Sequence, residues 1–260
     1  MTTPIIILLI LIALVGGACI TTIGPGGIFV TIALFMLLDI GPSTVAGTAS
    51  ATFIATGIVG SLAYLRSGEL ANRQAAKSAF TLSIASVIGA FAGSQLNTTL
   101  DAQIFGILLG LFVLATGAII LYRQYQGLSA ITELDQTTLG GQALLAAVGL
   151  AVGLPGGLLG VGGPVLAVPL LVMLGMPMLL AVALAQVQSI FISAFATAGY
   201  AIHGAIDWSL ALLVGIPLLI GTVSGWWIAQ RIKPERLKLF LAYVLVALGL
   251  YMLFSGGTPT

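Results

Sequence analysis

The sequence predicts an all-α integral membrane protein of two inverted-topology repeats, each holding a glycine break and a short half-helix among long transmembrane helices. Three observations carry this. Apolar residues make up 59% of the 260-residue chain and charged residues 6%, whereas a soluble domain carries roughly a quarter charged residues. The apolar stretches run to about 20 residues, the length that crosses the hydrocarbon core as helix, and they lack the alternation of outer-membrane strands. The sequence also echoes itself at a shift of 136 positions: Gly24-Pro25-Gly26-Gly27 falls on Gly160-Val161-Gly162-Gly163, Gly17 on Gly153, Tyr64 on Tyr200, Gly68 on Gly204 and Gly89 on Gly225.

In chain order, a first helix over 4–21 breaks at Thr21-Thr22-Ile23-Gly24-Pro25-Gly26-Gly27. No Lys or Arg precedes its apolar run, as a cleaved signal would require, so it reads as a retained helix. The helix over 28–38 stops at Asp39-Ile40-Gly41-Pro42 and reaches about half of the hydrocarbon core. Long helices follow over 43–65, 75–96 and 101–122. The plan then repeats: a helix over 142–158, the break, a half-helix over 164–174, and helices over 178–202, 207–230 and 237–254. The domain division is a first repeat over 1–122, a polar linker over 123–141 and a second repeat over 142–260.

Basic loops stay on the cytoplasmic side. This puts Arg66, Arg73 and Lys77 inside, together with the 231–238 loop that carries Arg231, Lys233, Arg236 and Lys238. The repeat counterparts of those loops, 203–207 and 97–101, hold no Lys or Arg. Equivalent loops therefore lie on opposite faces, the pattern of inverted repeats in secondary transporters. Both termini are expected outside. Between Arg123 and the loop at 203 the chain makes an odd number of crossings, either as three passes or as a re-entrant hairpin plus one pass.

Several classes are excluded. A net charge of +1 without a basic block leaves no footprint for nucleic acid. Cys19 and His203 are single, so no cofactor or built-in metal site is expected. Nor is an enzyme, which needs a nucleophile with a base or a metal. No Gly-x-x-x-x-Gly-Lys motif is present, and energy would come from gradients or a separate subunit.

Backbone groups that leave helical geometry inside hydrocarbon must be satisfied within the protein. The breaks at Gly24, Gly26 and Gly27 and at Gly160, Gly162 and Gly163 are therefore placed inside the bundle. Each half-helix begins directly after its glycines, with Pro164 suited to a first helical position, so free N–H groups and positive dipole ends face a shared cavity. Two N-termini together supply about one elementary positive charge, and a small monovalent anion is the expected substrate, since a dianion would need a proton, a cation or an Arg to balance it. Thr48, Ser50 and Thr52 on one following helix, and Gln186, Gln188 and Ser189 on the other, are the polar candidates for the pocket wall. Two glutamines in an apolar helix call for a partner or water. Tyr64, Tyr200, Trp208, Trp226 and Trp227 read as interface anchors, and His203 and Asp207 as solvated loop residues.

On the duplicated glycine cluster, on Gly160-Val161-Gly162-Gly163-Pro164 with Val168-Pro169, and on the Tyr-x-x-x-Gly echo at Tyr64 to Gly68 and Tyr200 to Gly204, the chain resembles the TauE/SafE family of sulfite exporter-like transporters. The resemblance covers nearly everything but the linker. It implies export or uptake of small sulfur-containing anions such as sulfite, thiosulfate or organosulfonates. The expected protein is a multi-pass secondary transporter of a prokaryotic plasma (inner) membrane working by alternating access. Its partners would be a small anion and the lipid bilayer, with a homo-oligomer left open. An anion channel lined by half-helix N-termini is the alternative.

Overall fold

The computed structural model describes residues 2–126, 136–231 and 235–255. Most of the linker, 127–135, lies outside the described residues. The described residues form ten helices: α1 (Thr3–Thr22), α2 (Ile28–Leu37), α3 (Pro42–Arg66), α4 (Arg73–Asn97), α5 (Ala102–Gln126), α6 (Leu139–Leu159), α7 (Pro164–Met173), α8 (Met178–Ile202), α9 (Trp208–Ala229) and α10 (Glu235–Phe254). Eight are long and apolar enough to cross a membrane, and α2 and α7, at ten residues each, are half-length.

Local chemistry sets the helix ends. Pro42 and Pro164 open α3 and α7, where a missing N–H is harmless. Asn72, Thr138 and Asp207 cap α4, α6 and α9 by accepting from Ala75 N at 2.6 Å, Gly141 N at 3.1 Å and Leu210 N at 2.9 Å. Gly160 ends α6 in the left-handed region at φ 62°, where a Cβ would be strained.

The most extensive helix packing is of α1 on α9, α6 on α4, α5 on α10, and α8 on both α3 and α4. A shift of 136 residues carries the first pair onto the second, since α1 aligns with α6 and α9 with α4. The seams of both pairs depend on glycine. A Cβ built on Gly17 would sit 2.1 Å from the Leu218 carbonyl oxygen, and one on Gly153 would sit 2.3 Å from that of Ser86. From the opposite helices, Gly225 would meet Ala18 O at 2.1 Å and Gly89 would meet Leu154 N at 2.7 Å. Small residues at such positions let membrane helices approach closely where no hydrophobic force drives them together. The outer surface is apolar to match, with Ile88 71%, Leu212 65% and Phe240 66% exposed. A surface of this kind belongs in lipid.

Hydrogen bonds assign loops to the two ends of the bundle. At one end, a His203 ring nitrogen lies 2.9 Å from Gln95 Oε1, and the Asp207 amide donates to Thr48 Oγ1 at 3.0 Å. At the other, Trp226 Nε1 donates to Ser67 Oγ at 3.3 Å and Gln230 Nε2 to Glu69 Oε1 at 3.4 Å. The loops after α3 and α8 therefore lie at opposite ends of α3. Arg66, Arg73, Arg123, Arg231 and Lys238 belong to the Ser67 end.

At each break the chain folds back on itself. Gly26 returns against α1, where its built Cβ would meet Gly16 O at 2.1 Å and Ile20 N at 2.5 Å. At the second break, a Cβ built on Gly156 of α6 would lie 3.5 Å from the Gly162 carbonyl oxygen, an ordinary contact distance. α1 and α6 are each long and apolar enough to cross a membrane, and the half-length α2 and α7 follow directly after their breaks.

Candidate functional site

The two breaks meet. Between them lies a small cavity, lined by Ile20, Gly24, Gly27, Phe53, Thr56, Val161, Gly162, Pro164, Val165 and Ser189. Every one of these residues is buried. Gly24 and Gly162 adopt φ of 105° and 73°, a region that only glycine enters without strain. The turns therefore require the glycines for backbone reasons as well as for space.

Free donors surround this cavity. The half-helices start at Ile28 and Pro164, so their first amides have no intrahelical acceptor. Phe29 N and Val30 N bond back to Gly26 O and Gly27 O. The amides of Gly27, Ile28, Gly162, Gly163, Val165 and Leu166 donate to no carbonyl among the described residues. Two helix N-termini with several unmet N–H groups at one enclosed point form a positive site without a charged side chain.

The spent ends of the preceding helices are treated differently. Tyr64 donates its hydroxyl to Thr21 O, and Tyr200 donates to Gly157 O at 2.7 Å and Leu158 O at 3.2 Å. Asn97 Nδ2 adds a donor to Leu158 O at 2.6 Å. Thr31 Oγ1, on α2, donates to Gly160 O at 2.6 Å and ties one half-helix to the other break. The shift of 136 residues maps Tyr64 and Thr21 onto Tyr200 and Gly157, so the same bond is made twice. This corrects the reading of the two tyrosines as interface anchors. Both are 0% exposed and close the carbonyl ends of α1 and α6. Trp208 and Trp227 are exposed, as anchors would be.

The sequence-predicted residues divide. Gly24, Gly27, Gly162, Pro164 and Ser189 line the cavity. Gly163 lies one residue behind it, a built Cβ 3.2 Å from Ala185 O. Gly26 packs on α1 and Gly160 on α3, where its Cβ would fall 2.5 Å from Ala46 Cα. Thr48 sits near the start of α3 against the Asp207 amide, away from the cavity. Ser50 is buried on the same helix. Thr52 donates back to Ala49 O at 2.7 Å and turns its methyl toward Gly215.

Gln186 Nε2 reaches Ile20 O at 3.2 Å, while its Oε1 has no partner and lies beside Gly60. Gln188 is 0% exposed, and both its amide atoms lack a partner among the described residues. Sequence reasoning missed Phe53 and Thr56. The signal for Phe53 was present, because it stands at the repeat position of Ser189.

A polytopic helical bundle with two interrupted helices around a buried, donor-rich cavity is the architecture of a membrane transporter, and comparison with known proteins agrees. The family profile described as "Sulfite exporter TauE/SafE" matches residues 9–252. The chain belongs to this family. It is 24% identical to "Probable membrane transporter protein YunE" of Bacillus subtilis over 96% of this chain and 98% of that protein. It is also 28% identical to "Probable membrane transporter protein MJ0441" of Methanocaldococcus jannaschii over 68% of each. No solved structure is a significant match.

Proposed function

We propose that this protein is a secondary transporter that moves a small sulfur-containing anion, such as sulfite, thiosulfate or an organosulfonate, across a prokaryotic plasma membrane by alternating access. The observation that carries this is the enclosed cavity between the two breaks, with unmet amides of Gly27, Gly162 and Val165 at its wall. The family description supports the substrate class. An inverted-repeat plan is supported by the repeated tyrosine bond, by the exchange of α1 and α6 between the α9 and α4 seams, and by the loops after α3 and α8 at opposite ends. With the arginine-rich end in the cytoplasm, α7 runs toward the cytoplasm and α2 away from it. Every residue lining the cavity is buried, which suits an occluded carrier site.

The test is counterflow of labelled thiosulfate, sulfite and methanesulfonate in proteoliposomes. Ser189→Leu fills the cavity from α8, where Ser189 Oγ lies 3.3 Å from a Cβ built on Gly162. Saturable exchange in wild type and its loss in this variant, with the folded protein still recovered, is the expected result. Exchange unchanged by Ser189→Leu would remove the cavity from the transport path.

A further inference from the structure

A second cavity adjoins the first on the side of the basic end. It is a narrow cavity, with Ile23 and Pro25 of the first break, Val168 and Pro169 of α7, and Met178 of α8 in its wall. Arg123, near the end of α5, and Lys238, near the start of α10, complete that wall, and no carboxylate lines it among the described residues. Arg123 Nη1 is buried without a hydrogen-bond partner among the described residues. A guanidinium nitrogen withdrawn from water is unfavourable until an acceptor completes it. The partition between the cavities is thin: Gly24 belongs to one and Val168 to the other, and a Cβ built on Gly24 would lie 2.7 Å from Val168 Cγ2.

We infer that this second cavity is an anion vestibule, in which Arg123 and Lys238 hold an oxyanion next to the inter-break site. The inference rests on the transporter reading for its purpose. The two half-helix N-termini are worth about one elementary charge together, enough for a monoanion. A dianion such as thiosulfate needs more, and the Arg123 guanidinium, whose Nη1 lacks a partner among the described residues, supplies it before the partition is crossed. The rest of the wall is apolar, so the vestibule also suits the carbon end of a small organosulfonate.

The test reads the vestibule without requiring flux. A Met178→Cys reporter in a Cys19→Ala background is placed in neutral phosphatidylcholine nanodiscs. It is labelled with an anionic (sulfonatoethyl) or a cationic (trimethylammonioethyl) methanethiosulfonate, each rate being divided by that for a free thiol in solution. Charged clefts raise the local concentration of counter-ions about tenfold or more, so the anionic reagent is expected to win by that factor. Sulfate and methanesulfonate should slow labelling, sulfate more strongly. Arg123→Gln with Lys238→Gln should abolish both effects, and Arg123→Lys should retain them.

A rate ratio near one, a ratio unmoved by the double substitution, or no labelling at all would each overturn the vestibule. Protection that requires added phosphatidylglycerol would assign the cavity to a lipid phosphate and overturn it equally. A protein with the charge preference but no counterflow keeps the anion site and loses the transporter reading, so the two failures are distinct.

Discussion

Removing the hydroxyl of Tyr64 or Tyr200 tests whether the breaks are held as described. Tyr200 covers the carbonyls of Gly157 and Leu158 in the last turn of α6, and Tyr64 covers that of Thr21 in the last turn of α1. These carbonyls have no intrahelical partner, and hydrocarbon offers no water to replace one. An orphaned buried acceptor costs about 1–3 kcal/mol, although hydrogen bonds between membrane helices average only about 0.6 kcal/mol by double-mutant cycles. Asn97 also donates to Leu158, so Tyr200→Phe orphans Gly157 alone. Each Tyr→Phe change is therefore expected to cost about 1–2 kcal/mol. At roughly 2–4 °C per kcal/mol for a chain of this size, Tm should fall by about 2–8 °C for each variant. The assay is thermal unfolding of purified protein in one detergent, with the double variant included. The two sites share no partner, so their effects should add. A double variant with the Tm of wild type would refute the claim that these bonds hold the breaks.

Other consequences follow from the same geometry. Gly17→Leu and Gly153→Leu place side chains where backbone carbonyls stand 2.1 and 2.3 Å from a Cβ, so folded protein should be lost. Gly41→Ala, with nothing within 4 Å, should be recovered at the wild-type level on size-exclusion chromatography. Asp207→Ala removes the cap of α9 and should lower stability by about 1 kcal/mol, visible as a small drop in Tm. Gln188→Met replaces a buried amide without partners by an apolar chain of similar length. Stability should hold or rise, because an unmet amide is costly, while counterflow should fall if that amide is completed by the substrate. A variant with wild-type exchange would leave Gln188 out of the pathway.

Helix number and bounds were legible because glycine and proline punctuate an otherwise uniform apolar sequence. The breaks at Gly24 and Gly160 and the start at Pro164 stand where they were expected, and α3 begins at Pro42, one residue before the expected 43. The wall of the cavity was less so. α3 and α8 are buried on most sides, so no polar stripe reveals which residues face inward. Thr48, Ser50 and Thr52 were candidates by polarity, but Phe53 and Thr56 carry the wall. Tyr64 was misread for a related reason. A tyrosine one turn from a basic loop has the signature of an interfacial anchor, and sequence distance hides that α1 ends beside it.

The seams also limit how such a protein could move. In an inverted-repeat transporter, alternating access is commonly pictured as one repeat rocking against the other. Here α1 of the first half is locked to α9 of the second, and α6 of the second to α4 of the first. The glycines of those seams leave no room for a Cβ against the opposing backbone, so the paired helices are closely held. Bodies that move as units must therefore include both members of each seam and cross the boundary between the halves. The vestibule wall is different. It is built from α5, α10, α7, the start of α8 and the first break, and Val168 packs against Gly24 at its inner limit. Opening toward the basic end then requires displacement of α7 or of the α5·α10 pair, with the α1·α9 and α4·α6 seams intact. On the proposed function, the half-helix that presents its N-terminus to the anion is also part of the partition that admits it, which would couple occupancy of the site to the state of the gate.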